Sequence, residues 1–101
     1  MGSEYRFTVT APNELSLGYL GTALQRLGCY VQLQSPAHEL SLAYADEPRR
    51  ADWPEDIVVE LDDKRLDVVV HSGTKQQREK FIADLSDVLN RRGLRFEIEE
   101  L

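Results

Sequence analysis

Carboxylate side chains are concentrated in one stretch of this sequence. Seven acidic residues lie between positions 52 and 67, against two basic residues, so the segment has a local charge of −5. Paired carboxylates can perform acid/base catalysis, and their oxygens can also bind Ca²⁺. The seven residues are Asp52, Glu55, Asp56, Glu60, Asp62, Asp63 and Asp67.

The sequence favours neither catalysis nor metal binding as the role of these carboxylates. The 62–65 turn is too short for a calcium cage, and EF-hand spacing is absent. A carboxylate pair on an outward sheet face has no reason for a large pKa shift. A hydrolase or isomerase using Glu60, Asp67 or His71 is the weakest of three functional hypotheses that the sequence allows. We expect no enzyme, no metal and no cofactor.

The thiol and the imidazoles give no stronger signal. Cys29 follows the C-terminal end of a predicted helix, where the helix dipole disfavours a thiolate, so we expect it to pack in the core. His38 and His71 are far apart in sequence, and no spacing typical of a transition-metal site is present.

The segment Ser72, Gly73, Thr74, Lys75 connects a predicted strand to a predicted helix. Backbone amides and the helix dipole attract anions at such a position. The P-loop pattern is absent, and Thr74 is explained by capping. The alternative functional hypothesis is nevertheless a regulatory domain that senses a small ligand or anion here and dimerises through a sheet edge.

Alternating apolar residues predict strands around these candidate sites. The clearest alternation lies in the acidic stretch, where Ile57, Val59 and Leu61 are followed by Leu66, Val68 and Val70. The charged side chains should therefore project from an ordered hairpin. The other predicted strands lie at 5–9, 29–33, 40–44 and 94–98, with Cys29, Val31 and Leu33 on one face of the second of these.

Two segments have the spacing of amphipathic helices. Leucines recur from Leu17 to Leu27 and end at Gly28, and we expect the glycines within this helix to pack closely on a neighbour. Thr74 and Gln77 form a predicted capping box for the second helix. Its apolar stripe comprises Phe81, Ile82, Leu85, Val88 and Leu89.

These elements predict a single α+β domain over residues 1–101, in the order βαββββαβ. Since every strand alternates, one sheet face should be buried under both helices. The expected architecture is a two-layer sandwich with a mixed, mainly antiparallel sheet of five to six strands. A ferredoxin-like variant with an inserted hairpin is the favoured topology, and two helix-covered units sharing a long sheet is the rival.

The predicted hairpin register brings like charges together. If Asp62 faces Arg65, the next outward pair is Glu60 with Asp67. Directly opposed like charges destabilise a sheet by a few tenths to about 1 kcal/mol. Either a cationic partner compensates for this repulsion, or Arg65, diagonal to Glu60, relieves it.

The loop from Asp46 to Glu55 contains Trp53 between arginines and acids. Trp and Arg dominate interface hot spots, so Trp53 is a candidate binding anchor. The other interpretation is that it caps the edge of its own core.

Composition narrows the class of partner. The chain has 18 acidic and 12 basic residues and a net charge of −6, which argues against binding nucleic acid or an anionic membrane. The absence of a signal-peptide pattern and the single cysteine favour the cytoplasm.

The leading functional hypothesis is an acidic protein-binding module that inhibits or neutralises a basic protein partner. Immunity proteins against nuclease-type toxins are of this kind, so a toxin or nuclease is one class of partner; the comparison is one of charge and size. We expect a monomer or weak homodimer. The predicted binding residues are the seven acids of 52–67 with Trp53, Val58 and Val69.

Overall fold

The computed structural model describes residues 3–10, 15–45 and 55–101. They form six strands and two helices in an α+β arrangement. In chain order the elements are β1 (Ser3–Val9), α1 (Leu17–Arg26), β2 (Tyr30–Leu33), β3 (Glu39–Tyr44), β4 (Ile57–Asp62), β5 (Arg65–Val70), α2 (Lys75–Arg91) and β6 (Phe96–Glu100).

The six strands form one sheet in the order β2-β3-β4-β5-β1-β6. All five strand pairs formed by the described residues are antiparallel, so the prediction of a mixed sheet is wrong. The physical reason is that strands connected through a helix run parallel to each other but are not neighbours in the sheet. Helix α2 connects β5 to β6, which run in the same direction, but β1 lies between them.

One face of the sheet contributes the core, as the alternation of apolar residues predicts. Phe7, Ile57, Val59, Leu66 and Val68 are fully buried and point to the same side. They form a single hydrophobic cluster with the buried residues of both helices. Sheet and helices therefore make up the two layers of a sandwich.

Helix α1 begins after Ser16, whose hydroxyl accepts a hydrogen bond from the Tyr19 N–H. Gly28 follows the helix with a φ of +81°, a conformation that glycine adopts without strain. The prediction of close packing is confirmed at one glycine only. A Cβ on Gly21 would lie 2.9 Å from Leu40 Cδ1, whereas one on Gly18 would meet only Ser16 Oγ, at 3.6 Å.

Helix α2 has the predicted capping box. The Gln77 N–H donates to Thr74 Oγ1 at 3.1 Å, and the Thr74 N–H donates to Gln77 Oε1 at 2.8 Å. Phe81, Leu85 and Leu89 are fully buried on its inner face. Within the described part of the chain, no helix combines the length and the apolar character needed to cross a bilayer.

Strand β2 has the opposite orientation to the one that its apolar alternation predicts, in which Val31 and Leu33 would face the core. Tyr30 is buried and pairs with Tyr44, while Val31 and Leu33 point away from the helices. A shift of one residue exchanges the two faces of a strand. Here the pairing with β3 and the burial of the Tyr30 ring against Phe81 fix the orientation.

Candidate functional site

The sheet has a second face, on the side away from the helices, which we call the open face. Its side chains come from all six strands, and the sheet register places them in rows that run across the strands. The open face comprises Glu4, Arg6, Thr8, Val31, Leu33, Glu39, Ser41, Ala43, Val58, Glu60, Asp62, Arg65, Asp67, Val69, Glu97 and Glu99.

The acidic hairpin is formed by β4 and β5, joined through Asp63 and Lys64. Asp63 has a φ of +57°, which Asp tolerates better than most residues. The register pairs Asp62 with Arg65 and Glu60 with Asp67. The predicted hairpin and its opposed acidic pair are therefore confirmed.

Glu60 has acidic residues opposite it on both neighbouring strands. It pairs with Asp67 of β5 on one side and with Glu39 of β3 on the other. Its side chain is exposed, and no ion pair to it exists among the described residues. Glu39 lies opposite Glu60 only because β3 is the neighbour of β4, and one sequence does not reveal this strand order.

Arginines of the open face interact with two of the other three acids of the hairpin, Asp62 and Asp67. Arg6 Nε lies 2.9 Å from Asp67 Oδ1, and this hydrogen bond raises the pKa of Arg6. Arg65 Nη2 lies 2.9 Å from Asp62 Oδ2, and its Nε lies 3.8 Å from Asp67 Oδ2. Arg65 therefore contacts Asp62 and Asp67, and the charge of Glu60 is left unpaired within the described residues.

An apolar row borders the acidic one. Leu33, Ser41, Val58 and Val69 are successive register partners across β2, β3, β4 and β5. Val58 and Val69, which the sequence predicts as binding residues, are partly exposed, and the partly exposed Leu33 continues the row to the sheet edge. The small side chain of Ser41 is buried among them.

Several residues of this surface were not among the predicted site residues. Arg6 and Glu39 become neighbours of the hairpin only through the strand order. Leu33 is missing from the predicted site because the apolar alternation of its strand predicts the opposite orientation of β2. Glu97 and Glu99 did carry a usable signal, since they alternate with Phe96 and Ile98 in the closing strand.

Asp56 has an internal role at the start of β4. Its carboxylate accepts hydrogen bonds from the Tyr44 N–H, at 2.9 Å, and from the Ser72 hydroxyl. Its carbonyl accepts from the His71 N–H at 2.7 Å. Asp56 thus connects β3, β4 and the segment after β5. Asp52 and Trp53 lie outside the described residues, and Glu55 is partly buried.

Most polar groups of the proposed anion site at Ser72, Gly73, Thr74 and Lys75 already form hydrogen bonds within the protein. The Ser72 hydroxyl donates to Asp56, and the capping box satisfies the Thr74 and Gln77 amides. The negative charge of Asp56 next to Ser72 would also repel an anion. Lys75 Nζ lies 3.8 Å from a carboxylate oxygen of Glu79.

The proposed catalytic residues do not meet in one place. Glu60 and Asp67 are direct register partners, but His71 follows β5 four residues beyond Asp67. At about 3.3 Å per residue this separates Asp67 and His71 by roughly 13 Å. Among the described residues, no group of three or more His, Cys, Asp or Glu side chains could hold a metal ion.

A second polar cluster lies beneath β2. The Tyr30 hydroxyl donates to Asp84 Oδ2 at 2.6 Å, and Lys80 Nζ lies 2.7 Å from the same oxygen. Burial, followed by the bond to Asp84, raises the pKa of Tyr30, and the bond to Asp84 also raises that of Lys80. Tyr30, Lys80 and Cys29 line a cavity of about 150 Å³. The hydroxyl stays protonated at neutral pH, so it supports the fold as a donor.

The sequence and the fold were compared with known proteins. No protein-family model matches the chain, and neither curated proteins nor solved structures give a significant match.

Proposed function

We propose that this chain is an acidic protein-binding module that inhibits or neutralises a basic protein partner by docking it on the open face. The observation that carries the proposal is the position of Glu60, an exposed carboxylate with Glu39 and Asp67 directly opposite it. Directly opposed like charges destabilise the isolated sheet, above all at the Glu39–Glu60 pair, because two arginines already contact Asp67. A cationic group from a partner would convert this repulsion into attraction.

The charges of the open face define what the partner must offer. Asp62 and Asp67 are already paired with arginines. The open-face carboxylates that remain for a partner are those of Glu4, Glu39, Glu60, Glu97 and Glu99, with Asp63 in the adjoining turn. An arginine- or lysine-rich surface matches this arrangement. Complementary charge of this kind accelerates association by steering, and it makes the rate depend on salt.

The apolar row supplies the part of the interface that can lose water. Val58, Val69 and Leu33 are partly exposed beside the acidic row. Binding energy in protein interfaces is concentrated in such desolvated centres, with charged residues around them. A partner with an apolar residue flanked by cations would cover both rows together.

The proposal extends to the class of protein and to its topology. Binding without catalysis is the mode of an immunity-like inhibitor, and a basic toxin or nuclease has the required charge. We also assign the fold to a ferredoxin-like variant. The passage from β5 through α2 to β6 flanks β1, and β4 lies next to β5, with β2 and β3 as an inserted hairpin at the sheet edge.

Affinity capture at low ionic strength tests this proposal. The wild-type protein, a Glu60→Lys variant and a Glu79→Lys variant are immobilised, and proteins captured from a lysate are identified by mass spectrometry. Glu79 is exposed on α2, in the opposite layer, so its substitution is a control with the same change in charge. The captured candidate is then purified and its affinity measured.

The expected result is a basic protein that the wild type and the Glu79→Lys variant bind alike and that the Glu60→Lys variant binds at least tenfold more weakly. Equal binding by all three proteins would contradict docking on the open face. A partner affected equally by both substitutions would indicate a response to net charge alone.

A further inference from the structure

Strand β6 forms an open edge of the sheet. The Leu101 N–H donates to the Glu4 carbonyl, and the Thr10 N–H donates to the Arg95 carbonyl. In an antiparallel pair the backbone groups of alternate residues face the neighbouring strand. The groups of residues 95, 97, 99 and 101 therefore face β1, and those of Phe96, Ile98 and Glu100 point away from the sheet.

The two edge strands of the sheet differ in how far their outward backbone groups are shielded from pairing with another strand. Both edge strands are short, but at the β2 edge the outward Gln32 N–H donates to Gln25 Oε1 of helix α1 at 3.4 Å. Covering the backbone of an edge strand is a common way of blocking its pairing with another strand. Among the described residues nothing pairs with the outer side of β6, and residues 97–100 are all exposed.

The side chains of β6 define the kind of strand that fits this edge. Ile98 is 45% exposed, although it lies on the helix side of the sheet. Glu97 and Glu99 lie on the open face. A strand added next to β6 would cover Ile98 with an apolar residue, and its flanking residues would lie opposite the two glutamates.

A second copy of this chain is disfavoured at this edge in the register that would cover Ile98. In an antiparallel β6–β6 pair centred on Ile98, Glu97 of each copy would lie directly opposite Glu99 of the other. Directly opposed like charges destabilise a sheet. The acids thus act against self-pairing and favour a basic strand.

We infer that the β6 edge binds a basic extended segment of a partner protein by β-strand addition, with alternating apolar and basic residues. The inference rests on the proposed function for the charge of the partner and adds the means by which its backbone is recognised. Phe96, Ile98 and Glu100 would provide the hydrogen bonds, and Glu97 and Glu99 the charge selection.

A short synthetic peptide in which Lys alternates with Val, blocked at both ends, is the probe for this inference. Its affinity is measured by calorimetry, and amide exchange of the whole protein is followed by NMR. We expect binding, with protection of the Ile98 and Glu100 amides. The same peptide N-methylated at each Val loses the donors that face the edge, so it should bind at least tenfold more weakly.

Two variants separate this inference from the proposed function. Ile98→Pro removes an outward N–H that no described strand uses, and proline is tolerated at such edge positions. It should weaken peptide binding at least tenfold, whereas Glu60→Lys, three strands away, should change it less than threefold. The N-methylated peptide tests the same bond without altering the protein.

Other outcomes would overturn strand addition. The first is that the peptide does not bind, and the second is that the two peptides bind with equal affinity. The third is that Glu60→Lys weakens peptide binding whereas Ile98→Pro does not, a result that would leave docking on the open face intact. Protection of the Ile98 amide that increases with protein concentration in the absence of peptide would assign the edge to a second copy. If the peptide binds as expected but Glu60→Lys does not affect capture of the partner, the edge site is supported and docking on the open face is rejected.

Discussion

Asp56 illustrates how one residue of the acidic stretch differs from its neighbours. Sequence composition places it with the other acids, but its carboxylate accepts two hydrogen bonds that hold three segments together. Glu60, four residues on, makes no such bond among the described residues. The same side-chain chemistry therefore supports the fold at one position and remains available to a partner at the other.

Replacement of Asp56 by Ala should lower the free energy of unfolding by about 1–3 kcal/mol, because the Tyr44 N–H and the Ser72 hydroxyl lose their acceptor. Asp56→Asn keeps one acceptor oxygen and should cost less. Urea denaturation measures both effects. Glu55→Ala is the matched control, and a loss as large as that of Asp56→Ala would contradict the assignment.

Tyr30 gives a prediction about pH. Its pKa is raised in the folded state, so its contribution to stability is fully present below its ordinary pKa of about 10 and is lost as pH rises above that value. Tyr30→Phe should destabilise the protein by about 1 kcal/mol at pH 7 through loss of the bond to Asp84. The difference from wild type should shrink above about pH 10 in thermal melts; a constant difference would argue against the raised pKa.

At the scale of elements, helix α1 contains two glycines in different surroundings. Gly18→Ala should raise the free energy of unfolding by about 0.5–1 kcal/mol, because glycine is a poor helix former and space is available. Gly21→Ala should lower it by about 1 kcal/mol or more, because the methyl group meets the buried Leu40 side chain. Urea denaturation of the two variants provides the comparison, and stabilisation by both would contradict the close contact at Gly21.

The elements also show how far the sequence could be interpreted. Strong alternation and the capping box located β1, the acidic hairpin and α2, because these signals are local. The orientation of β2 could not be predicted, since a four-residue edge strand has little periodicity and its facing is decided by Tyr44 and Phe81. The Arg6–Asp67 and Glu39–Glu60 pairs could not be predicted without the strand order, which depends on long-range packing.

For the molecule as a whole, the two layers differ in their surface charge. The open face of the sheet carries unpaired acids, whereas a groove between the helices is lined by Arg26 and by Arg91, which pairs with Asp87, and Arg92 lies over the Tyr19 ring. A basic partner would be attracted to the sheet side and repelled from the arginines. The separation of charge therefore orients an approaching partner.

This arrangement predicts that binding and stability conflict at Glu60. Glu60→Lys places a cation opposite Glu39 and Asp67, and the gain at Asp67 is the smaller one because arginines already contact it. The variant should therefore raise the free energy of unfolding by about 0.5–1 kcal/mol. Urea denaturation at low salt should show this gain, and it should decrease at high salt. Glu79→Lys should show no gain, because it loses its contact with Lys75.

The most direct test of docking on the open face is the association rate of the captured basic partner with wild type and Glu60→Lys, measured by stopped flow from low to high salt. We predict a wild-type rate that falls steeply with salt and a Glu60→Lys rate at least tenfold lower at low salt, in a variant that is more stable than wild type. Equal rates for the two proteins, or a wild-type rate independent of salt, would contradict the account.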